Sequence, residues 1–371
     1  MIDNPPHMSS KLKEKSSTDS PGNFISTLRK RNDVLDLESY IDPAKPGFSI
    51  YFDALQEGRW FRSLHPALSS GGFQRMGAKG ENPKLVDGLL EYDRPDIILT
   101  YGSRPVLSLE RTEEVPTGHN VGQRFARIVR AAELKVPCVY FFPFAAQKHG
   151  KETQEREAEM KTNQRYVNAR LFDAIKRMES IHDTLVVPVS WPVDDHYELL
   201  RSGRKDDEVK AVVSTIVENA MTGGTLGDLR KSPAILEAQR RASDEREARL
   251  RSQSRYARPP PSVDIVETRS LIESEDGLTG STKKTLALRR ESVVYTIGMN
   301  YIRSDPYAGS LIVYDYAYAR TGVSPADRSR NLVAVMPNIE TSDWQGQSTK
   351  RKDISLFTKF ADVIILKDGE V

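Results

Sequence analysis

The sequence predicts a mixed α/β domain, its central sheet flanked by helices, followed by a second, strand-rich region. Three observations predict it. Between Asn82 and Trp191, apolar runs of strand length alternate with stretches of helical periodicity. The run from Cys138 to Phe144 is apolar throughout, as a central strand covered on both faces should be. From Lys231 to Ser262 the composition turns to charge and proline, which sets off a C-terminal part with its own apolar runs.

The elements follow in order. Residues 1–22 are rich in Ser, Pro, Asp and Lys and read as a disordered arm. A core then spans 23–230. It opens on a helix through Phe24–Leu37 and aromatic anchors at Tyr51, Phe52, Trp60 and Phe61, with glycine turns at Gly71-Gly72 and near Gly77–Gly80. A short helix at Pro83–Glu91 starts on proline, whose missing N–H costs little in a first turn. Next come a strand at Asp96–Thr100, a Gly-Ser-Arg-Pro turn, and a strand at Val106–Glu110. A polar loop with Pro116 and Gly118 leads into a helix at Asn120–Leu134. Its residues Val121, Phe125, Ile128, Val129 and Ala132 recur at helical spacing, and Asn120 is placed to cap it. The strand Cys138–Phe144, a long helix at Lys151–Met178 and a strand at Leu185–Val189 complete the series. Residues 231–262 read as a charged, solvated helix and a stiff Pro-rich spacer, or alternatively as a basic helix facing nucleic acid. In 263–371, strands are expected at Ser292–Ile302, Ser310–Ala319, Asn331–Met336 and Lys359–Leu366, and this region is expected to serve recognition or dimerisation.

Bulk properties bound the function. The 371 residues carry 54 basic and 52 acidic side chains, a net charge of +2, so any nucleic-acid surface must be a local patch. Hydrophobic residues make up 38%, below the usual globular share, which fits solvated segments attached to a real core. Cys138 stands alone inside its apolar run and reads as a small buried hydrophobe in a reducing cytoplasm. No signal-peptide pattern opens the chain, and no apolar segment approaches the roughly 20 residues of a membrane span. There is no GxxxxGK[ST] loop, no GxGxxG after a strand, no CxxC pair and no HExxH, and the six histidines are scattered.

One constellation carries chemistry. Asp96 stands at the mouth of one expected strand and Glu110 at the end of the next. A hairpin between them lays the two carboxylates side by side at one sheet edge. Paired acidic oxygens suit Mg²⁺, which next to a phosphate neutralises developing charge and lowers the pKa of an attacking water. Pro95-Asp96, a hairpin, and an acidic residue ending an apolar strand resemble the signature of the PD-(D/E)XK nuclease superfamily. The helix and strand that follow match its core order over about residues 80–192. Within that group the chain resembles a bacterial type II restriction endonuclease.

The resemblance implies a restriction-endonuclease-like core that hydrolyses double-stranded DNA with Mg²⁺ held by Asp96 and Glu110. It also implies a homodimer, since symmetric double-strand cleavage needs two sites, and a companion DNA methyltransferase acting on the same sequence. Two residues after Glu110 the family has lysine, whereas here stands Thr112. Arg111, Glu113 and Gln123 are the candidates to assist catalysis in its stead. His119, Asn120 and Arg124 at the helix start, and Arg320 beside the alternating Tyr314, Tyr316 and Tyr318, are candidates for DNA contact. Glu81 and Glu91 flank the preceding helix, from which related enzymes often add an acid. Two rival readings stand beside this one. The first is a nuclease fold without catalysis that binds DNA or scaffolds; the second is an enzyme acting on RNA or another phosphate.

Overall fold

A computed structural model of the chain describes residues 47–116, 119–147, 164–252, 263–296, 330–336 and 362–366. The expected arm and the helix at Phe24–Leu37 lie outside these residues. So do the strand at Ser310–Ala319, the three alternating tyrosines and the proline spacer.

The first unit runs β1 (Phe48–Phe52), α1 (Leu55–Arg62), β2 (Gly72–Arg75), α2 (Lys84–Leu89), β3 (Ile97–Tyr101), β4 (Arg104–Arg111), α3 (His119–Glu133), β5 (Cys138–Phe142), β6 (Ala145–Gln147), β7 (Gln164–Tyr166), α4 (Ala169–His182), β8 (Val186–Ser190), α5 (Asp207–Met221), α6 (Leu226–Lys231) and α7 (Pro233–Ser252). Six strands form one mixed sheet in the order β2-β1-β3-β4-β5-β8. Strands β1, β3 and β4 make an antiparallel meander, β5 and β8 extend it parallel to β4, and β2 lies parallel to β1.

The β3–β4 turn is two residues long. Gly102 takes φ 61°, a left-handed conformation that costs glycine least. The register slips beside Thr100, opposite Pro105, which has no N–H to give the ladder. Beyond that bulge the pairing is regular. Ile97 faces Leu109, so one further step sets Asp96 opposite Glu110.

Side chains alternate across this sheet and sort into two cores. Ile98, Tyr140 and Phe142 face α2, α3 and α4; Ile97, Leu109, Val139 and Phe141 face α1, α5 and α6. Every residue of β5 is buried, the consequence of helices on both faces.

Three expectations change. The long helix begins at Ala169, not Lys151; residues 164–166 instead pair as a strand with β6. Helix α3 begins at His119, so Asn120 lies within its first turn and is not the N-cap. The charged helix α7 is not a solvated connector. Ile235, Ala238 and Ala242 make a buried stripe at helical spacing that packs it along β8. Its arginines pair with other elements, Arg241 with Glu208 on α5 at 3.0 Å and Arg246 with Asp173 on α4 at 2.5 Å. No helix among the described residues is long and apolar enough to cross a membrane.

The second region has β9 (Val263–Glu267), α8 (Thr268–Ser274), α9 (Gly280–Leu286), β10 (Glu291–Thr296), β11 (Arg330–Met336) and β12 (Val363–Leu366). Its sheet order is β12-β11-β10-β9, with β9 antiparallel and the rest parallel. Val293 and Leu332 join the core cluster of the first unit that contains Ala242. A buried polar knot ties the sheet together. The Asn331 amide donates to Leu286 O at 2.8 Å and Ser292 Oγ at 3.0 Å, and its oxygen accepts from Arg289 at 2.8 Å.

Candidate functional site

The hairpin delivers Asp96 and Glu110 to one point, and a guanidinium proves the proximity. Arg127 Nη1 donates to Asp96 Oδ1 at 3.1 Å and to Glu110 Oε2 at 2.8 Å, while its Nε donates to Asp93 Oδ2 at 2.9 Å. Arg127 lies on α3, the helix that covers this face of the sheet. Asp96 Oδ2 accepts the backbone N–H of Arg111 at 2.6 Å, so the acid also caps the end of β4.

Burial sets the electrostatics. The Glu110 side chain is fully buried, and that of Asp96 is 14% exposed. Burial pushes both carboxyls up, Glu110 well above the usual range, against the pull of Arg127. The charge of Arg127 is opposed by its own burial, but Glu110, Asp93 and Asp96 outweigh that and raise its pKa. The guanidinium therefore remains charged.

Beside the two acids, Glu110 Oε1, Tyr140 Oη and Arg124 Nε are buried with no hydrogen-bond partner among the described residues. Tyr140 pairs in register with Glu110 on the neighbouring strand, so both side chains rise from the same face. Burial raises the phenol, which also feels Arg124, Glu110, Asp96 and Arg127. Buried groups without partners each cost about 1–3 kcal/mol, so these three atoms weigh against stability.

The donor set suits a Mg²⁺ ion, which commonly takes one or two carboxylates and keeps several waters. Asp96 and Glu110 supply adjacent carboxylates, and Glu110 Oε1 is an uncommitted oxygen. Among the described residues no group of three or more His, Cys, Asp or Glu forms a fuller cage. The cation that now bridges the two acids is Arg127.

The remaining candidates separate. The Arg111 side chain leaves on the opposite face of the sheet, its guanidinium over the rings of Trp60 at 4.5 Å and Trp191 at 4.8 Å. Strand alternation dictates this: Glu110 on one face sends its neighbour to the other. Only the backbone of Arg111 serves Asp96. Glu113 is partly exposed and pairs with Arg111 at 3.3 Å and with Arg201, away from both acids. Thr112 is spent locally, its hydroxyl accepting the backbone N–H of Glu114 at 3.2 Å. Glu81 accepts from the backbone of Ala78, and Glu91 pairs with Lys79; neither is drawn into the cluster. Arg124 lies on the site face and acts on both acids. The side chains of His119, Asn120 and Gln123 lie outside the described residues, as does Arg320.

Two residues that bear on these acids, Arg127 by contact and Glu57 by charge alone, have no place in the expectations from sequence. Arg127 sits one turn beyond Arg124 on the same helix. Glu57, on α1, is raised to about 7 by burial, then by Asp96 and Asp53, with Arg111 and Arg127 opposing. Its short helix showed no clear period.

Comparison with models of protein families, with curated proteins and with solved structures finds no match.

Proposed function

We propose that this chain is a Mg²⁺-dependent endonuclease that hydrolyses phosphodiester bonds of double-stranded DNA, in the manner of a PD-(D/E)XK restriction enzyme. The observation that carries the reading is the meeting of Asp96 and Glu110 from adjacent strands, with one buried oxygen of Glu110 uncommitted. The strand order lends further support: an antiparallel meander, a crossover helix and a parallel strand are what a restriction-endonuclease-like core requires.

Asp96 and Glu110 would hold the ion, which supplies an acidified water and neutralises charge at the phosphorus. Burial keeps bulk water from screening these carboxylates, and the Arg111 N–H fixes one of them in place. Arg124 and Arg127 bring positive charge to the same face, where a phosphodiester would lie. On this reading the second region reads a DNA sequence or pairs two copies, and a methyltransferase protects the host sites.

The specific observation that favours the other reading, a nuclease fold that binds DNA or scaffolds without cutting, is the full burial of Glu110 in its ion pair with Arg127. One experiment separates them. Plasmid and phage DNA are incubated with Mg²⁺ and the wild type, Asp96→Ala or Glu110→Ala. Discrete fragments that both substitutions abolish support the nuclease. DNA retention in a mobility-shift assay, with no cutting by any of the three, supports the non-catalytic fold.

A further inference from the structure

We infer that Arg127 is the working cation of this site: it fills the place between Asp96 and Glu110 in the metal-free protein, and yields that place to a divalent ion while turning to a phosphate. The inference rests on the nuclease reading and assigns a residue to it.

The local charges make room for such a group. Two neighbouring buried carboxylates repel and lack water, and either a proton or a cation relieves them; Arg127 is the cation that meets both. Position 112 does not supply one, because it is threonine and its hydroxyl is bound to Glu114. Arg127 meets both acids with one nitrogen; Asp96 also takes the Arg111 N–H, but among the described residues Arg127 is the donor that bridges the two, in a place a metal ion can take.

The same side chain has a pivot. Its Nε holds Asp93, whose side chain is 23% exposed, while the Arg127 side chain as a whole is 19% exposed. Release of Nη1 leaves the Asp93 bond intact, and a guanidinium freed in this way matches a phosphate with paired N–H donors. Glu110 Oε1, Tyr140 Oη and Arg124 Nε, all buried and unpartnered among the described residues, show that Arg127 alone does not satisfy the site.

The test uses the full chain and pairs Ca²⁺ titration calorimetry with Mg²⁺-dependent plasmid cleavage. Arg127→Gln is expected to bind Ca²⁺ about tenfold or more tightly than wild type, since no guanidinium has to leave, and to cut about a hundredfold or more slowly. Binding and cleavage moving in opposite directions is not what misfolding produces. A wild type that cuts and an Arg127→Gln variant that cuts equally fast, or binds Ca²⁺ more weakly, would overturn the inference and leave the nuclease reading standing. A wild type that neither binds nor cuts overturns the nuclease reading; tighter Ca²⁺ binding by the variant alone would still uphold Arg127 as occupant of the cation place. Should Arg127→Gln fail to fold, Arg127→Lys takes its place. One ammonium spans the three acids poorly, so Ca²⁺ affinity should rise about threefold or more, and unchanged affinity refutes the idea.

Discussion

Replacing Glu110 by glutamine distinguishes a carboxylate kept for work from one kept for stability. Glu110 is fully buried, takes one hydrogen bond from Arg127, and leaves its other oxygen without a partner among the described residues. It also repels Asp96, and burial already favours its neutral form. The amide preserves the bond from Arg127 while removing a charge whose solvation was only partly replaced. Arg127 keeps Asp93 and Asp96. An unsatisfied buried group costs about 1–3 kcal/mol, and more when charged. The variant should therefore be unchanged to about 2 kcal/mol more stable in EDTA at mildly alkaline pH. For a chain of this size that is a rise in Tm of roughly 2–4 °C per kcal/mol.

Glu133 supplies the contrast within the same helix. It accepts from Tyr92 Oη at 2.7 Å and pairs with Arg130 at 3.2 Å. Breaking a buried pair of that kind costs about 3–5 kcal/mol, and Glu133→Ala should do so. Differential scanning fluorimetry of both variants gives the comparison. Destabilisation by Glu110→Gln of about 3 kcal/mol or more would refute the reasoning and make Glu110 a structural anchor.

Arg111→Ala should lose about 2–4 kcal/mol of stability, because the guanidinium stacks on two indoles, yet retain cleavage within about tenfold because the backbone N–H on Asp96 remains. Glu113→Gln removes ion pairs made by a largely exposed carboxylate and should change stability by about 0–1 kcal/mol with cleavage intact; loss of activity in this variant would restore the catalytic role expected from sequence. Asn331→Ala takes its donor from Leu286 O and one bond each from Ser292, which keeps Thr268, and Arg289, which keeps Asp362; it should cost about 2–3 kcal/mol, read by urea unfolding. Glu179 is raised from 4.5 to about 7 by burial, against the Val186 N–H and Arg230. The folded state thus binds its proton more tightly than the unfolded chain, and its contribution to stability is lost as pH rises from 4.5 to 7. Glu179→Gln should flatten that slope; identical slopes for the variant and wild type would exclude Glu179 as its source.

The hairpin and the central strands were legible because their signals are local. A two-residue turn, apolar strand runs and strand alternation suffice to set Asp96 against Glu110. The alternation that aims Glu110 at α3 also sends Arg111 away, so strand geometry alone separates the two side chains. Other features depend on tertiary packing. Strand β1 holds only five residues and borrows its order from β3 and β2. Helix α7 is so densely charged that its three-residue apolar stripe does not stand out against the arginines. Glu57 and Arg127 gain their meaning from carboxylates far away in sequence, on elements whose own periodicity says nothing of them.

The central claim is that Asp96 and Glu110 share one divalent ion, and calorimetric titration with Ca²⁺ addresses it without any need for turnover. The account predicts one ion bound per chain by the wild type, with that binding lost in both Asp96→Asn and Glu110→Gln. Absence of binding by the wild type, or binding that survives either substitution, would contradict it.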